Sequence, residues 1–487
     1  MAGTERAAGW TDGTGRGRQG ELNKLGEQGE LLEQGVPGGH GDRAARRAST
    51  PSRASARDTA RIAARVALPT LAGGVVIRRK QGVALATRLD ADRHAVELLN
   101  ELRRRYGPGP LHLRLAGRDI ALPLSAEDAQ RVLEETPEPF SPAAREKRDA
   151  LGHFQPHGVL VSTGQDREER RAFNEDVLES GRHRHHLAPH FVRTVREEAD
   201  ELLLRAGPLD WDTFGAAWWR IVRRVVLGDG ARDDTTLTDL LARLRGFGNW
   251  ASLIPPRLTA GPRERFQRRL RAHLDRAEPG SLAEALARTA AKPGVDPAGQ
   301  VPHWMFAFDA AGIAAARTLA LLATHPAQEQ QVHNELAIPD LTRPQLLPYT
   351  RASVMESVRL WPTTPFLLRE STRQTRWGEG TLPEGTAFLV YASYFHRDGS
   401  APYGDRFVPE IWLDGTAQTG PELVPFSAGP GVCPGEDLVL LVTSTLVAAL
   451  MERHDFRLRD PGRLRPDGPL PYTFNHFALR FSVVARH

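Results

Sequence analysis

The residue with most to offer chemically in this chain of 487 is its single cysteine, Cys433, and the residues around it are spaced as a metal-binding loop requires. The run Phe426-Ser427-Ala428-Gly429-Pro430-Gly431-Val432-Cys433-Pro434-Gly435 has the form F-x-x-G-x-x-x-C-x-G and leads into an apolar helix. As a thiolate, Cys433 is a soft anionic ligand for a transition metal. Gly429 permits a tight turn, at positive φ where needed, and Phe426 packs beside the sulfur. Pro434, at the first helical position, and Gly435 open the next helix, whose N-terminal amides are expected to lower the thiol pKa. The bland alternative is an inert buried thiol, the usual state of a lone cysteine.

Other side chains stand out by type and spacing. Asp309 lies in an apolar stretch, residues 302–324. A carboxylate unpaired there is costly, which favours a functional role over a satisfied buried acid. Glu356 and Arg359 are i, i+3 on one helix face, where a surface ion pair is the default. Arg167 and Arg171, four apart, share a face of a charged helix. Two signals are decoys. The G-x-G-x-x-G at Gly15, Gly17 and Gly20 has no strand before it and no apolar-periodic helix after it. The His183, His185, His186 cluster is interleaved with arginines and reads as surface rather than metal site.

The elements that must position these groups are mostly helical. Residues 1–57 are Gly/Arg-rich with few large apolar side chains and are expected to form a disordered arm. From residue 58 onward the pattern is that of one domain. An amphipathic helix spans 95–106, two strands span 111–115 and 119–124, and a helix capped by Ser125 follows. Residues 137–160 read as a loop covering a pocket, 302–324 as a buried helix, 351–361 as a helix stopped by Pro362, 438–451 as a core helix and 479–485 as a strand. The fold class is therefore mainly α with a small β region, α+β. With 40% hydrophobic and 25% charged residues the chain reads as soluble, and one cysteine suits a reducing cytoplasm. No signal peptide is expected, because the first thirty residues hold no apolar stretch, and no membrane span, because Asp309 and Arg317 interrupt the longest apolar run. The net charge of +4 shows no basic stripe interleaved with aromatics, which argues against nucleic acid. Arg, Ala, Gly and Pro usage suggests a high-GC bacterium.

The cysteine loop resembles the haem-binding loop of the cytochrome P450 superfamily, and other motifs resemble that family in the same order. Residues 302–324 resemble its long helix over the haem, with Asp309 at the acid position and Ala310 where the family carries an alcohol. Glu356 and Arg359 match its Glu-x-x-Arg, and Phe407-Val408-Pro409-Glu410-Ile411-Trp412 resembles its Pro-Glu segment. The resemblance covers roughly 400 residues and implies a P450 fold, haem b (iron protoporphyrin IX) ligated by Cys433, and propionates bound by Arg167, Arg171 and Arg369. It also implies a substrate pocket touching Phe306, Thr364, Phe366, Thr473 and Phe474. The implied activity is insertion of one oxygen atom from O2 into a small, largely apolar molecule, in secondary metabolism. Electrons would come from a ferredoxin and its NAD(P)H-dependent reductase, and the protein would be a monomer. Three departures bear on this. Ala310 lacks the hydroxyl that helps deliver protons, Ile411 replaces an arginine for which Arg406 or His396 is the candidate substitute, and Gly431 replaces a basic propionate partner for which Arg167 is expected to compensate. The alternatives are a peroxide-driven or non-oxygenating haem-thiolate enzyme, a haem-binding sensor without turnover, and a helical scaffold without haem.

Overall fold

The computed structural model describes residues 50–486, apart from 206, 252, 421 and 422. Most of the expected arm, the Gly15, Gly17, Gly20 pattern included, lies outside the described residues. The expected boundary at 57 needs correction, because Ser52–Arg53 already pairs in parallel with Leu111 and His112, and Ser55 caps the helix Ala56–Ile62.

The helix Ala91–Tyr106 buries Leu98, Leu99 and Leu102 on one stripe and stops at Gly107, whose φ of 89° ends the helical path. A hairpin follows, Leu111–Leu115 against Arg118–Leu122, turning through Ala116 and Gly117, both at positive φ, as a two-residue hairpin turn requires. Ser125 accepts from the Asp128 amide (3.2 Å) and so begins Ala126–Glu134. These strands belong to a six-stranded sheet ordered Ser52–Arg53, Leu111–Leu115, Arg118–Leu122, Ala387–Tyr391, Phe366–Ser371, Phe140–Ser141. The segment read as a loop, 137–160, supplies the last of those strands and a short helix, Arg145–Leu151, whose seven residues are too few for a periodic signal. A three-stranded sheet joins Leu209–Asp210, His454–Leu458 and Arg480–Ala485.

Three helices frame the site. Val301–Leu322 is long and apolar enough to cross a membrane by composition, but most of it is buried inside the fold. Pro348–Leu360 and Glu436–Met451 pack against it, with Ala314, Val354, Val358 and Leu440 in one cluster. From Ala311 to Leu322 every residue of the first helix is buried, whereas His303, Phe306, Ala307 and Ala310 are only partly so. The spacing i, i+3, i+4, i+7 marks one open face on its N-terminal half.

Candidate cofactor-binding site

The cysteine loop is fixed from several sides. The Cys433 amide donates to Phe426 O (2.9 Å) and the Val432 amide to Gly429 O (3.0 Å). Gly429 sits at φ 60°, and a Cβ there would lie 2.5 Å from Leu133 O, so glycine is required by both conformation and space. Phe426 packs on Ala314, Val354, Val358 and Leu440 and thereby ties the loop to all three framing helices. Gly435 carries no such demand, since its φ is −101° and the nearest atom to an added Cβ is Leu178 Cδ1 at 3.7 Å. Pro434 lies outside the helix, which starts at Glu436 with Gly435 as its cap. The expected pull of the helix N-terminus on the thiol is present but outweighed. Burial, the largest influence, pushes it up to about 11, against the opposing pull of the Gly435 amide and Arg171.

Beside this loop stand three cations. Arg369, buried, donates from Nε to Thr136 Oγ1 (3.0 Å) and from Nη2 to Ser427 Oγ (3.3 Å). Arg167, also buried, reaches Pro430 O (3.4 Å), and Lys147 reaches Leu368 O (3.1 Å). Among the described residues none of the three forms an ion pair with a carboxylate, although burial makes an uncompensated charge expensive. Desolvation lowers all three, Arg369 to about 10 with help from the Arg167 charge, and Lys147 well below the usual lysine range. A Cβ on Gly431 would lie 2.4 Å from Arg369 Nη2. The charge expected from a basic side chain at 431 therefore comes first from Arg369, whose guanidinium occupies the space that side chain would need; Arg167 supports it. Arg171 differs from its expected role. It donates to Val432 O (2.7 Å) and pairs with Glu175, so it braces the loop. A thiol on a loop beside three cations that form no ion pair among the described residues suits a dianionic haem, and the donor set fits that group. Lys147 was invisible in the sequence, one charge among several in Arg145–Leu151.

Glu356 and Arg359 are fully buried and paired. Arg359 also donates to the carbonyls of His396 (2.8 Å), Tyr403 (3.0 Å), Gly404 (3.1 Å) and Arg406 (2.8 Å), gathering the chain that leads to Cys433. Glu356 accepts from the Val408 amide (2.8 Å) and the Trp412 indole (3.1 Å). Trp412 and a backbone amide thus replace the arginine absent at Ile411. Neither Arg406 nor His396 does so by its side chain. The His396 ring instead bridges Arg359 O (3.2 Å) and the Val424 amide (3.1 Å).

On the opposite side, Asp309 is not unpaired. Arg245, from Thr235–Gly248, meets it at 2.5 Å, and its guanidinium lies 5.1 Å from the Phe306 ring centroid. Asp309 also lines an open cleft of about 480 Å³ between Trp211–Leu227 and Thr235–Gly248. Ala310 and Phe306 share the open face, with Phe306 packed edge-on against Phe154. Thr364 is exposed, Phe366 rests on Tyr391, Thr473 Oγ1 donates to Asp92 (2.9 Å), and Phe474 stacks on Trp361 at 4.7 Å.

A partly buried cysteine on a glycine-shaped loop, tied through Phe426 to Ala314 of a long apolar helix, is an arrangement suited to a cysteine-ligated haem. Residues 308–470 match the family model Cytochrome P450. A cyclooctat-9-en-7-ol 5-monooxygenase of Streptomyces melanosporofaciens is 35% identical over 148 residues, which is 28% of this chain and 32% of the relative. A sugiol synthase of Salvia miltiorrhiza is 34% identical over 177 residues, 34% of each chain. The chain thus matches about a third of the length of these curated relatives. The fold likeness runs further. A cytochrome P450 crystal structure (CYP102L1) superposes with TM-score 0.65 at 19% identity, over 80% of this chain and 98% of the other. The retinoic acid-bound cyanobacterial CYP120A1 gives 0.64 at 17%, over 79% and 93%. Residues 308–470 thus match the cytochrome P450 family, the described fold is that of cytochrome P450 structures, and haem b is the cofactor that this likeness implies.

Proposed function

We propose that the protein is a haem-thiolate monooxygenase that inserts one oxygen atom from O2 into a small, largely apolar molecule, with electrons from NAD(P)H through a ferredoxin and its reductase. Cys433 among cations that lack protein anions carries this reading. Bound there, haem supplies oxygen activation, and the thiolate pushes electron density toward the iron. The chain's own groups hold and shield the reaction. Arg369, Arg167 and Lys147 neutralise the propionates, Arg171 and Glu356–Arg359 fix the loop, and the apolar face with Phe306 and Ala310 excludes bulk water. The monooxygenase and synthase names of the relatives support the same class. The test is the reduced protein's spectrum with carbon monoxide. A red-shifted Soret band that disappears in Cys433→Ala is the expected result, and its absence from the unmodified protein defeats the proposal.

Ala310 favours a second reading, peroxide-driven turnover, because no hydroxyl holds a proton there. Under the first reading Asp309 is the proton carrier. It borders the open cleft and would need to leave Arg245 to exchange protons with water. Comparing turnover supported by ferredoxin, reductase and NAD(P)H with turnover supported by hydrogen peroxide separates the two. Asp309→Asn should lower the former by about a hundredfold or more, the lower range of a general acid's contribution.

A further inference from the structure

A second pair of cations, partly buried Arg78 and buried Arg317, lies away from the cysteine loop. Arg78 donates to Gly74 O (3.0 Å) and Thr363 O (2.7 Å) and meets no carboxylate at ion-pair distance among the described residues. Its segment is held in place, since Asn249 exchanges hydrogen bonds with Val76 and Ile77, and Arg245 donates to Val76 O (3.2 Å). Arg317 donates to Trp361 O (2.7 Å) and likewise has no acidic partner. The nearby carboxylates are engaged elsewhere. Asp92 accepts from the Tyr391 hydroxyl (2.7 Å) and from Thr473, while Asp309 pairs with Arg245. Two guanidiniums therefore share the single charge of Asp92, and one positive charge is left uncompensated. Burial lowers Arg78, and burial together with the Arg78 charge brings Arg317 to about 9. The carboxylates that act on this pair are Asp92 and Asp309, and the cations beside Cys433 do not act on it.

We propose that Arg78 anchors a carboxylate on an otherwise apolar substrate, so that the substrate class is an amphiphilic monocarboxylic acid. This rests on the monooxygenase reading and narrows its substrate. A guanidinium has five N–H donors; two are spent on carbonyls that fix its plane, and the remainder present a fork suited to a carboxylate. Arg78 is only partly buried as a residue, whereas Arg317 is buried. The chain it holds runs from Thr363 into Phe366 and Leu367, both partly open, which supply an apolar wall for the rest of the molecule.

The test uses the haem-loaded full chain with dodecanoate and methyl dodecanoate as probes, binding being read from tryptophan fluorescence and from the Soret band. Dodecanoate should bind at least about tenfold more tightly than the ester, the scale of a charged hydrogen-bonded pair. Arg78→Gln should remove that preference while leaving ester affinity within about twofold. Equal binding of acid and ester by the unmodified protein, or a preference that survives Arg78→Gln, overturns the proposal. If Arg78→Gln does not fold, Arg78→Lys takes its place. It keeps the charge without the fork and should show a smaller preference; an undiminished one counts against Arg78. Failure of the monooxygenase reading would appear separately, as a missing carbon monoxide band in the same preparation.

Discussion

Three glycines of the cysteine loop look alike in the pattern and differ in what surrounds them. At Gly429 an added methyl meets the Leu133 carbonyl, which is backbone and cannot rotate away, and the left-handed φ adds about 1–2 kcal/mol. At Gly431 it meets the tip of Arg369, which can shift only by giving up its bond to Ser427, a loss of about 1–3 kcal/mol in overpacking. At Gly435 it meets nothing closer than 3.7 Å at a φ that any residue adopts. Alanine scanning should therefore rank haem occupancy Gly435→Ala near the unmodified protein, Gly431→Ala lower, and Gly429→Ala lowest. Loss of occupancy in Gly435→Ala would contradict that ranking. The same logic makes Arg369→Leu more damaging than Arg167→Leu to haem retention, measured by transfer to apomyoglobin, because Arg369 alone takes the space beside Gly431.

At the scale of elements, the long apolar helix is tied to Thr235–Gly248 by one buried ion pair. The Arg245 side chain is 1% exposed, whereas that of Asp309 is 22% exposed. Removing the acid leaves a guanidinium buried without its counter-charge, which costs about 3–5 kcal/mol, whereas replacing both partners with apolar residues is close to neutral. Asp309→Leu should thus lower the melting temperature well below that of the double variant Asp309→Leu/Arg245→Met. Melting temperatures that add rather than compensate would show the pair to be uncoupled. The cost also bears on function, because a carboxylate held this firmly exchanges protons only as often as the pair opens. The adjoining helix could not have been named from sequence as the partner. The two residues are 64 positions apart, and Arg245 sits among several arginines with nothing local to single it out.

Across the whole molecule, what could be read in the sequence was what depends on local pattern. The fixed spacing around Cys433, the Glu356–Arg359 turn and the apolar run around Asp309 each declare themselves within a few residues. All of them fall within or close to the stretch that matches the family model. The charge balance was not readable, because it is made by contacts across the fold: Lys147 with Leu368, Arg369 beside Gly431, Arg78 with Thr363. Such interior groups also govern how the molecule responds to acid. Burial, joined by the Arg359 charge, holds His396 down at about 3, where its ring donates to Arg359 O and accepts from the Val424 amide. Burial and the Lys147 charge take His303 to about 4. Both values lie below the ordinary histidine range near 6.5. Above that range the rings are neutral in folded and unfolded chains alike, and their contribution to stability is fully present. As pH falls from about 6.5 the unfolded chain takes up protons that the folded one refuses until about 3 to 4, so stability is lost across that window by up to about 1.4 kcal/mol per pH unit for each group. Between about pH 6.5 and 5.5 carboxylates hardly titrate, and the slope there belongs to the histidines. Denaturant unfolding at those two pH values should show His396→Asn less stable than the parent at both, yet with a flatter pH dependence, because asparagine keeps a donor and an acceptor without titrating. An unchanged slope would place the proton uptake elsewhere.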